Sequence, residues 1–393
     1  MAGLDGNPES INLERQMEKL RLISADSHVI EPQNFWAEHI DQKFRDRAPQ
    51  VKRLESGRLA LVAPGIPIAS VTQGFARGKS GEALKEHLGK GYEAAPEGGW
   101  NPEARLKDQE VDGVEAEVLH TTQGMRLYAL PDADLQRACF HAYNDWLAEF
   151  CSYSSKRLIG IGLLSVADVD LAARELERCA KIGLHGVMIT VLPAADRPYG
   201  HRMYDPLWAA AGEHGMPVAL HAATGVSGLR VQLDPKTGGL KATDGGSFVE
   251  QGAYMHHDIQ HSLTSMMFNG VFERFPKLRV VSVENGVGWM PHFIERLDYI
   301  WKKYGWSAEN KISQPPSEYF KRQIWATFQD DGVVGATHHL FGADNYMWAS
   351  DFPHADSTWP ESREVIERDF AGVPLEVKRK IVFENVRRFY HLN

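Results

Sequence analysis

Eight short apolar segments, each followed by a helical pattern, constrain the fold of this chain more than any other feature. Continuous apolar strands that alternate with amphipathic helices indicate a parallel sheet covered by helices on both faces. Eight such units favour a closed barrel over an open, doubly wound sheet. We therefore predict an α/β fold, a (β/α)8 TIM-type barrel, with strands at residues 22–28, 114–121, 158–164, 186–191, 217–221, 278–284, 324–328 and 346–351.

Capping residues and apolar periodicity predict the helices between these strands. Asp168 is a predicted N-cap, and Asp205 followed by Pro206 predicts another helix start. Apolar residues at three- or four-residue steps predict a helix with one apolar stripe over 135–150. Further helices are predicted near residues 262–275, 290–304, 333–341, 362–370 and 375–391.

The segment between the first two strands is long for a barrel connection. Residues 58–71 alternate like a hairpin around a Pro-Gly turn, and residues 74–99 resemble an exposed loop with one short helix. We interpret residues 36–104 as an insertion after the first strand, and as a candidate lid over the barrel mouth. The predicted organisation is a lead with a short helix over 1–21 and a single barrel domain over 22–393.

Net charge and cysteine content narrow the expected partners and location. The 393 residues carry a formal net charge of −9, which argues against nucleic acid and membranes and leaves small molecules as the expected ligands. Cys139, Cys151 and Cys179 show no C-x-x-C spacing, which fits a reducing compartment. Residues 1–18 lack the apolar run of a signal peptide, so we predict a cytoplasmic protein. No glycine-rich dinucleotide or P-loop motif is present.

Polar residues end four of the predicted strands. In such a barrel the carboxyl ends of the strands face the active site. Asp26 and His28 share one face at the end of the first strand, because strand side chains alternate with a period of two. The fifth, sixth and eighth strands end at His221, Glu284 and Asp351. Each residue alone could simply cap a helix, but together they predict a metal site.

This predicted ligand set contains imidazoles and carboxylates but no thiolate. Such a set suits one or two Zn, Mn or Fe ions in a catalytic site, and the additional carboxylates favour Mn or Fe. A bound ion of this kind can lower the pKa of water, polarise a carbonyl or, for iron, bind dioxygen. The residues alone leave these chemistries open.

Several loop residues just beyond strand ends are further candidates. Glu31 and His354 could bind a second ion together with Glu284, which could instead serve as a general base. Their alternative roles are a salt bridge for Glu31 and helix-start packing for His354. Arg126 and Arg197 could pair with a substrate carboxylate or lie on the surface.

Six passages, taken in their order and spacing, are similar to those of a known family. They are ADSHVIEP at 25–32, AYNDW at 142–146, DPLW at 205–208, VFERFP at 271–276, SDFPH at 350–354 and ENVRR at 384–388. From residue 22 onward the chain resembles the amidohydrolase superfamily. Within it, the chain resembles the amidohydrolase-related branch that contains aminocarboxymuconate-semialdehyde decarboxylase and the resorcylate decarboxylases.

The resemblance implies roles for individual residues. Asp26 and His28 match the first-strand ligands of the family, and His221 matches the fifth-strand ligand. Asp351 matches an eighth-strand aspartate that binds metal and handles protons. The chain departs from the pattern at Glu284, where the decarboxylases carry a histidine thought to activate water or protonate the substrate carbon. That departure argues against simple decarboxylation.

A narrower resemblance joins the first-strand motif to SDFPHADSTWP at 350–360. It is similar to a subgroup that includes the dinuclear-metal 2-aminoisobutyrate hydroxylase subunits and an iron-dependent thioacid hydrolase. We predict hydrolysis of a small carboxylate-bearing molecule by a metal-bound hydroxide, with Asp351 and Glu284 moving protons. The alternatives are an oxygen-dependent dinuclear Mn/Fe hydroxylase, a metal-dependent decarboxylase and a non-catalytic partner subunit. The resemblance also implies a homodimer or a complex with a related barrel subunit.

Overall fold

Eight parallel strands form the centre of the structure, a computed structural model that describes residues 20–225, 231–243, 248–307 and 309–392. Their order in the sheet is their order in the chain. The strands are β1 (Ile23–His28), β2 (Ala116–His120), β3 (Leu158–Leu163), β4 (Gly186–Thr190), β5 (Val218–His221), β6 (Val280–Val283), β7 (Ile324–Phe328) and β8 (Tyr346–Trp348). All eight predicted strands are confirmed, with ends that differ by a few residues.

The first and last strands meet and nearly close the sheet. The amide of Asp351, just past β8, donates to the carbonyl of Asp26 at 2.9 Å. The amide of His28 donates to the carbonyl of Phe352 at 2.7 Å. The predicted (β/α)8 barrel is therefore confirmed. Its closure fixes the carboxyl end of β1 beside the loop that follows β8.

Helices cover the outside of the barrel. The described α-helices are Phe35–His39, Gly81–Leu88, Pro102–Asp112, Ala133–Ser152, Val169–Lys181, Asp205–Glu213, Phe248–Tyr254, His256–Phe268, Val271–Arg274, Met290–Tyr304, Pro316–Gln323, Val334–Thr337, Ser362–Asp369, Leu375–Arg379 and Asn385–Tyr390. A π-helical turn at Lys380–Glu384 joins the last two.

Helix ends agree with the sequence signals in part. Asp168 caps its helix by accepting a hydrogen bond from a first-turn amide at 3.0 Å, as predicted. Asp205 begins its helix but makes no cap bond, because its carboxylate pairs with an arginine of a later helix. The helix predicted over 262–275 starts at His256 and is interrupted at Gly270, whose φ of 71° lies in the left-handed region.

The insertion between β1 and β2 contains a small antiparallel sheet. Leu59–Val62 pairs with both Gln50–Arg53 and Ala69–Ser70, which confirms the predicted hairpin. The predicted short helix is Gly81–Leu88. The division into lead, insertion and barrel domain stays a prediction. The predicted helix of the lead lies outside the described residues, except for Leu20 and Arg21, which are not helical.

A second excursion follows β5 and reaches the insertion. It contains the antiparallel strands Val231–Leu233 and Leu240–Ala242. The amide of Leu233 donates to the carbonyl of Ile68 in the insertion at 2.8 Å. The two excursions therefore meet above the barrel mouth.

The apolar core fills the barrel and the layer between strands and helices. Val118, Val187, Val218 and Val281 on four different strands are fully buried, as expected for parallel strands covered on both faces. The three cysteines are buried and unpaired. In the part of the chain that the structure describes, no helix has the length and apolar character needed to cross a bilayer.

Candidate metal centre

Side chains from four strand ends converge at the barrel mouth. Asp26 and His28 lie at the carboxyl end of β1, and His221 ends β5. Asp351 follows β8, and Glu284 follows β6. The first four are fully buried, whereas the Glu284 side chain is 15% exposed. The structure thus brings together the ligands predicted from the strand ends.

The distances within this cluster are those of groups that could share one cation. Asp26 Oδ1 lies 3.4 Å from His28 Nε2 and 3.6 Å from His221 Nε2. His28 Nε2 is also 3.2 Å from Asp351 Oδ1. Potential ligand atoms of Asp26, His28, His221 and Glu284 all lie within 4.8 Å of one another.

A second group of potential ligands shares His28. His354 Nδ1 lies 3.2 Å from Asp351 Oδ1, and the His354 ring stacks on the His28 ring with centroids 3.8 Å apart. Potential ligand atoms of these three residues also lie within 4.8 Å of one another. Thr122 Oγ1 is 3.1 Å from His354 Nε2 and helps to orient the ring. The mouth therefore offers two adjoining positions for a cation.

The carboxylate oxygens of Asp26 and Asp351 lie near imidazole nitrogens but are engaged by no hydrogen bond from the described residues. Within the described residues, none of the four oxygens accepts a hydrogen bond, although both residues are fully buried. Burying an ionised carboxylate costs several kcal/mol unless a cation or hydrogen-bond donor compensates it. These oxygens and the neighbouring imidazoles therefore fit a divalent ion that prefers oxygen and nitrogen ligands.

The charged groups of the cluster shift one another's pKa. Burial alone would raise the pKa of Asp26, but His221 and His28 hold it well below its ordinary value. Burial alone would lower the pKa of His28, yet Asp26 and Asp351 raise it well above its ordinary value. Burial, and then the charges of Asp351 and Asp26, raise the pKa of Glu284 well above its ordinary value. A cation in the cluster would favour ionised carboxylates and neutral imidazoles.

Two of the carboxylates stand on unusual backbone. Glu284 has a φ of 59° and Asp351 a φ of 54°, in the left-handed region that non-glycine residues rarely occupy. Such conformations cost of order 1–3 kcal/mol and persist mainly at functional sites. At both positions the strained turn follows directly on a barrel strand and holds the side chain at the mouth.

Glu31 does not join either group of potential ligands. Its carboxylate accepts hydrogen bonds from the amides of Gln123 at 2.9 Å and Gly124 at 3.2 Å, and from the Thr121 hydroxyl. Glu31 therefore ties the loop after β1 to the loop after β2. A role as metal ligand stays a prediction for Glu31, and protein donors already engage both of its oxygens.

A cavity of about 270 Å³ opens beside the cluster. Glu284 and His354 line it, together with Arg126 and apolar residues of the two excursions such as Leu61 and Leu233. The Arg126 side chain makes no hydrogen bond or ion pair within the described residues, and its Nη1 is buried without a partner. Burial lowers the pKa of Arg126 to about 10, against the charge of Glu284. Among the described residues, the cavity thus presents a guanidinium that forms no ion pair.

Arg197, the other predicted carboxylate partner, lies elsewhere. Its side chain is exposed and donates to the carbonyl of Ala167 at 3.4 Å. Arg197 is absent from the lining of the cavity. This position agrees with the other role predicted for Arg197, that of a surface residue.

His120 is a further residue of the cluster and was not predicted from the sequence. This residue ends β2 and pairs in register with His28. It is fully buried, and its Nε2 lies 3.8 Å from Asp26 Oδ1. Burial lowers the pKa of His120 to about 3, so its imidazole is neutral. The signal was the one that identified His221, a polar residue at the carboxyl end of a barrel strand.

Comparisons with known proteins agree with this architecture. The family model described as Amidohydrolase matches residues 86–392. Gamma-resorcylate decarboxylase of Polaromonas sp. strain JS666 is 26% identical over 306 residues, which cover 74% of this chain and 86% of the relative. The 2-amino-3-carboxymuconate-6-semialdehyde decarboxylase of Dictyostelium discoideum is 27% identical over 270 residues, 65% of this chain and 67% of the relative.

Solved structures show the same fold at lower sequence identity. An amidohydrolase from Mycobacterium avium subsp. paratuberculosis K-10 superposes with a TM-score of 0.75 at 23% identity, over 95% of this chain and 99% of the other. The 5-carboxyvanillate decarboxylase of Novosphingobium aromaticivorans was solved with manganese and a nitrobenzoic acid. It gives a TM-score of 0.64 at 20% identity, over 95% of this chain and 97% of the other. The family model spans most of the chain. This chain therefore belongs to the amidohydrolase family, in the branch of the aminocarboxymuconate-semialdehyde and resorcylate decarboxylases.

Proposed function

We propose that this chain is a metal-dependent decarboxylase of a small aromatic or unsaturated carboxylate. The observation that carries the proposal is the position of a cavity beside the ligand cluster. The buried carboxylates of Asp26 and Asp351 accept no hydrogen bond within the described residues, and Arg126, whose Nη1 has no partner among those residues, lines the cavity. The names of the relatives, which are decarboxylases of carboxylated small molecules, support this choice over the hydrolysis predicted from the sequence.

Asp26, His28, His221 and Asp351 are the residues proposed to hold a divalent ion, and manganese, which related decarboxylase structures contain, is the first candidate. When bound, such an ion supplies Lewis-acid polarisation of a substrate oxygen and lowers the pKa of a bound water. His28 and His221 present Nε2 to the site because each Nδ1 is within 3.0 Å of a backbone carbonyl oxygen, Thr121 O and Ala222 O.

Arg126 is proposed to bind the substrate carboxylate. A guanidinium forms two parallel hydrogen bonds to a carboxylate, which fixes both position and orientation. The apolar residues Leu61 and Leu233 would pack on the rest of the molecule and keep water away. The volume of about 270 Å³ fits a single substituted ring.

Glu284 is proposed to deliver the proton that decarboxylation requires. The carbon–carbon bond to the carboxylate breaks, carbon dioxide leaves, and a proton takes its place on the ring carbon. Glu284 lines the cavity that would hold the substrate, and its side chain is 15% exposed. It would thereby take over the role of the histidine that the family resemblance implies at the end of the sixth strand.

Hydrolysis is the second candidate, and Glu284 is the observation that favours it. Its Oε2 lies 3.4 Å from His221 Nδ1, so the ionised carboxylate could act as general base toward a water at the metal. The two ligand groups that share His28 would also suit a pair of ions, as the hydroxylase alternative requires. The relatives reported above give that alternative no support, and it stays a prediction.

The test uses manganese-loaded protein with a panel of hydroxybenzoates, including 2,6-dihydroxybenzoate and 5-carboxyvanillate, and unsaturated dicarboxylates. Release of carbon dioxide, with one deuterium placed on the product carbon in D2O, is the expected result. E284Q should bind the substrate and fail to release product. Cleavage of aryl esters or amides without carbon dioxide release would favour hydrolysis, and substrate-dependent oxygen uptake would favour the hydroxylase; either would overturn the proposal.

A further inference from the structure

We propose that His120 is a further ligand of the metal ion, beside Asp26, His28, His221 and Asp351. The inference rests on the metal centre of the proposed function, but not on the reaction catalysed there. None of the residues matched through the family resemblance lies on β2.

Strand register places His120 at the site. Parallel pairing sets His28 of β1 opposite His120 of β2, so both side chains point into the barrel at the same level. The His120 ring lies 5.9 Å from the His28 ring and 5.2 Å from the His221 ring, between centroids. Three imidazoles from three strands therefore face one point.

The three Nε2 atoms surround a single oxygen. Asp26 Oδ1 lies 3.4 Å from His28, 3.6 Å from His221 and 3.8 Å from His120. Ligand atoms bound at about 2.0–2.2 Å to one ion stand roughly 3 to 4 Å apart around it. His120 Nε2 thus lies 3.8 Å from the same oxygen as the other two, although His120 belongs to neither group of ligand atoms that all lie within 4.8 Å of one another.

Packing alone does not account for this imidazole. His120 is fully buried, and both of its ring nitrogens lack a hydrogen-bond partner within the described residues. A neutral imidazole always carries one N–H donor and one acceptor, and leaving them unpaired costs about 1–3 kcal/mol. His28 and His221 each have one nitrogen close to a carbonyl oxygen, whereas His120 has none. A cation bound at Nε2 would satisfy its acceptor.

With His120, three imidazoles and two carboxylates would hold the ion, and fewer of its coordination positions would remain for water or substrate. Arg126 would bind the substrate carboxylate in the adjoining cavity.

The experiment counts imidazoles at the ion. Protein loaded with one equivalent of Mn²⁺ is measured by X-ray absorption, and its Mn²⁺ affinity is determined by competition with a chelator. H120Q is the test variant. H87Q is the matched control, because His87 is 3% exposed and its Nε2 also lacks a partner, but it lies on Gly81–Leu88 of the insertion. H354Q tests the other nearby imidazole.

Three imidazoles are expected in the wild type and in H87Q, and two in H120Q, with at least a tenfold weaker affinity for Mn²⁺. The ion in H354Q should retain three imidazole ligands. Two imidazole ligands in the wild type would overturn the proposal. So would an H120Q variant whose number of imidazole ligands and Mn²⁺ affinity equal those of the wild type. If H120Q does not fold, the wild type and H354Q still decide, because a drop to two in H354Q would assign the third imidazole to His354. None of these readouts depends on turnover, so a failure to find decarboxylation leaves this test intact.

Discussion

His28 Nε2 lies 3.2 Å from Asp351 Oδ1, across the seam at which β1 meets the loop after β8. The two residues come from opposite ends of the chain. One backbone hydrogen bond from Asp351 to Asp26 and another from His28 to Phe352 hold that seam together. The metal cluster and the closure of the barrel are therefore a single structural feature. Substitution of a metal ligand at this seam should therefore weaken metal binding more than it affects any other property of the protein.

Asp351→Asn should weaken metal binding at least tenfold and abolish turnover, because the amide keeps the shape of the carboxylate but not its charge. Metal content after dialysis against metal-free buffer is the measurement. Asp168→Asn is the control, since Asn is an equally good helix cap and Asp168 lies outside the cluster. Full metal retention in D351N would remove Asp351 from the ligand set.

Arg105 should act as a structural clamp beneath the cluster. It is fully buried, pairs with Glu117 through Nε at 2.6 Å and Nη2 at 3.0 Å, and donates from Nη1 to the His28 carbonyl at 2.7 Å. Its Nη2 also donates to the carbonyl of Phe352 at 3.3 Å. Arg105→Met should cost about 3–5 kcal/mol in the free energy of unfolding, because Glu117 is left buried without a cation, with the Gln109 amide as its remaining side-chain donor.

The matched comparison is the double variant R105M/E117Q, which removes the stranded charge as well. Urea unfolding should show the double variant to be more stable than R105M alone. R105M should also bind metal more weakly, since it releases the carbonyls on both sides of the seam. An R105M protein as stable as the wild type would show that the clamp contributes nothing.

Arg126→Gln should raise KM for the carboxylate substrate tenfold or more, because the proposed ion pair is lost. The same change should leave the ligand-free protein equally or more stable, since it removes a cation that forms no hydrogen bond or ion pair with the described residues. Steady-state kinetics and thermal unfolding measure the two effects. Arg197→Gln, an exposed arginine outside the cavity, should change neither quantity. An unchanged KM in R126Q would contradict the assigned role.

The barrel could be predicted because each strand carries its own local signal. The runs that became β4 and β5 are continuous and apolar, and a buried parallel strand requires this pattern whatever its partners are. The polar residue that ends a strand can be located from the same run, which is how His221 and Asp351 were found.

Partners of buried polar residues could not be predicted in this way. Glu31 follows β1 as the ligands do, but its oxygens are engaged by Thr121 and the amides after it, which belong to another strand end. Nothing local to Glu31 distinguishes a metal ligand from a carboxylate that accepts backbone hydrogen bonds. The unusual backbone at Glu284 is likewise a property of the folded mouth rather than of the strand pattern.

Glu175 should make the stability of the metal-free protein sensitive to acid. Burial alone would raise the pKa of Glu175, but hydrogen bonds from Arg178, His141 and Asn144 lower it from 4.5 to about 2. Its stabilising contribution is therefore complete above pH 4.5 and is lost as the pH falls toward 2, at most about 3 kcal/mol. Glu175→Gln should be less stable at pH 7 and show a flatter acid limb. Identical pH profiles in urea unfolding would contradict this.

The most direct test of the metal centre is elemental analysis of the purified full-length protein, prepared without chelators and then reconstituted with Mn²⁺. We predict at least one equivalent of divalent metal per chain, lost in parallel from D26N, H221Q and D351N and retained in D168N. Absence of stoichiometric metal from the reconstituted wild type, or its full retention in all three ligand variants, would contradict the account.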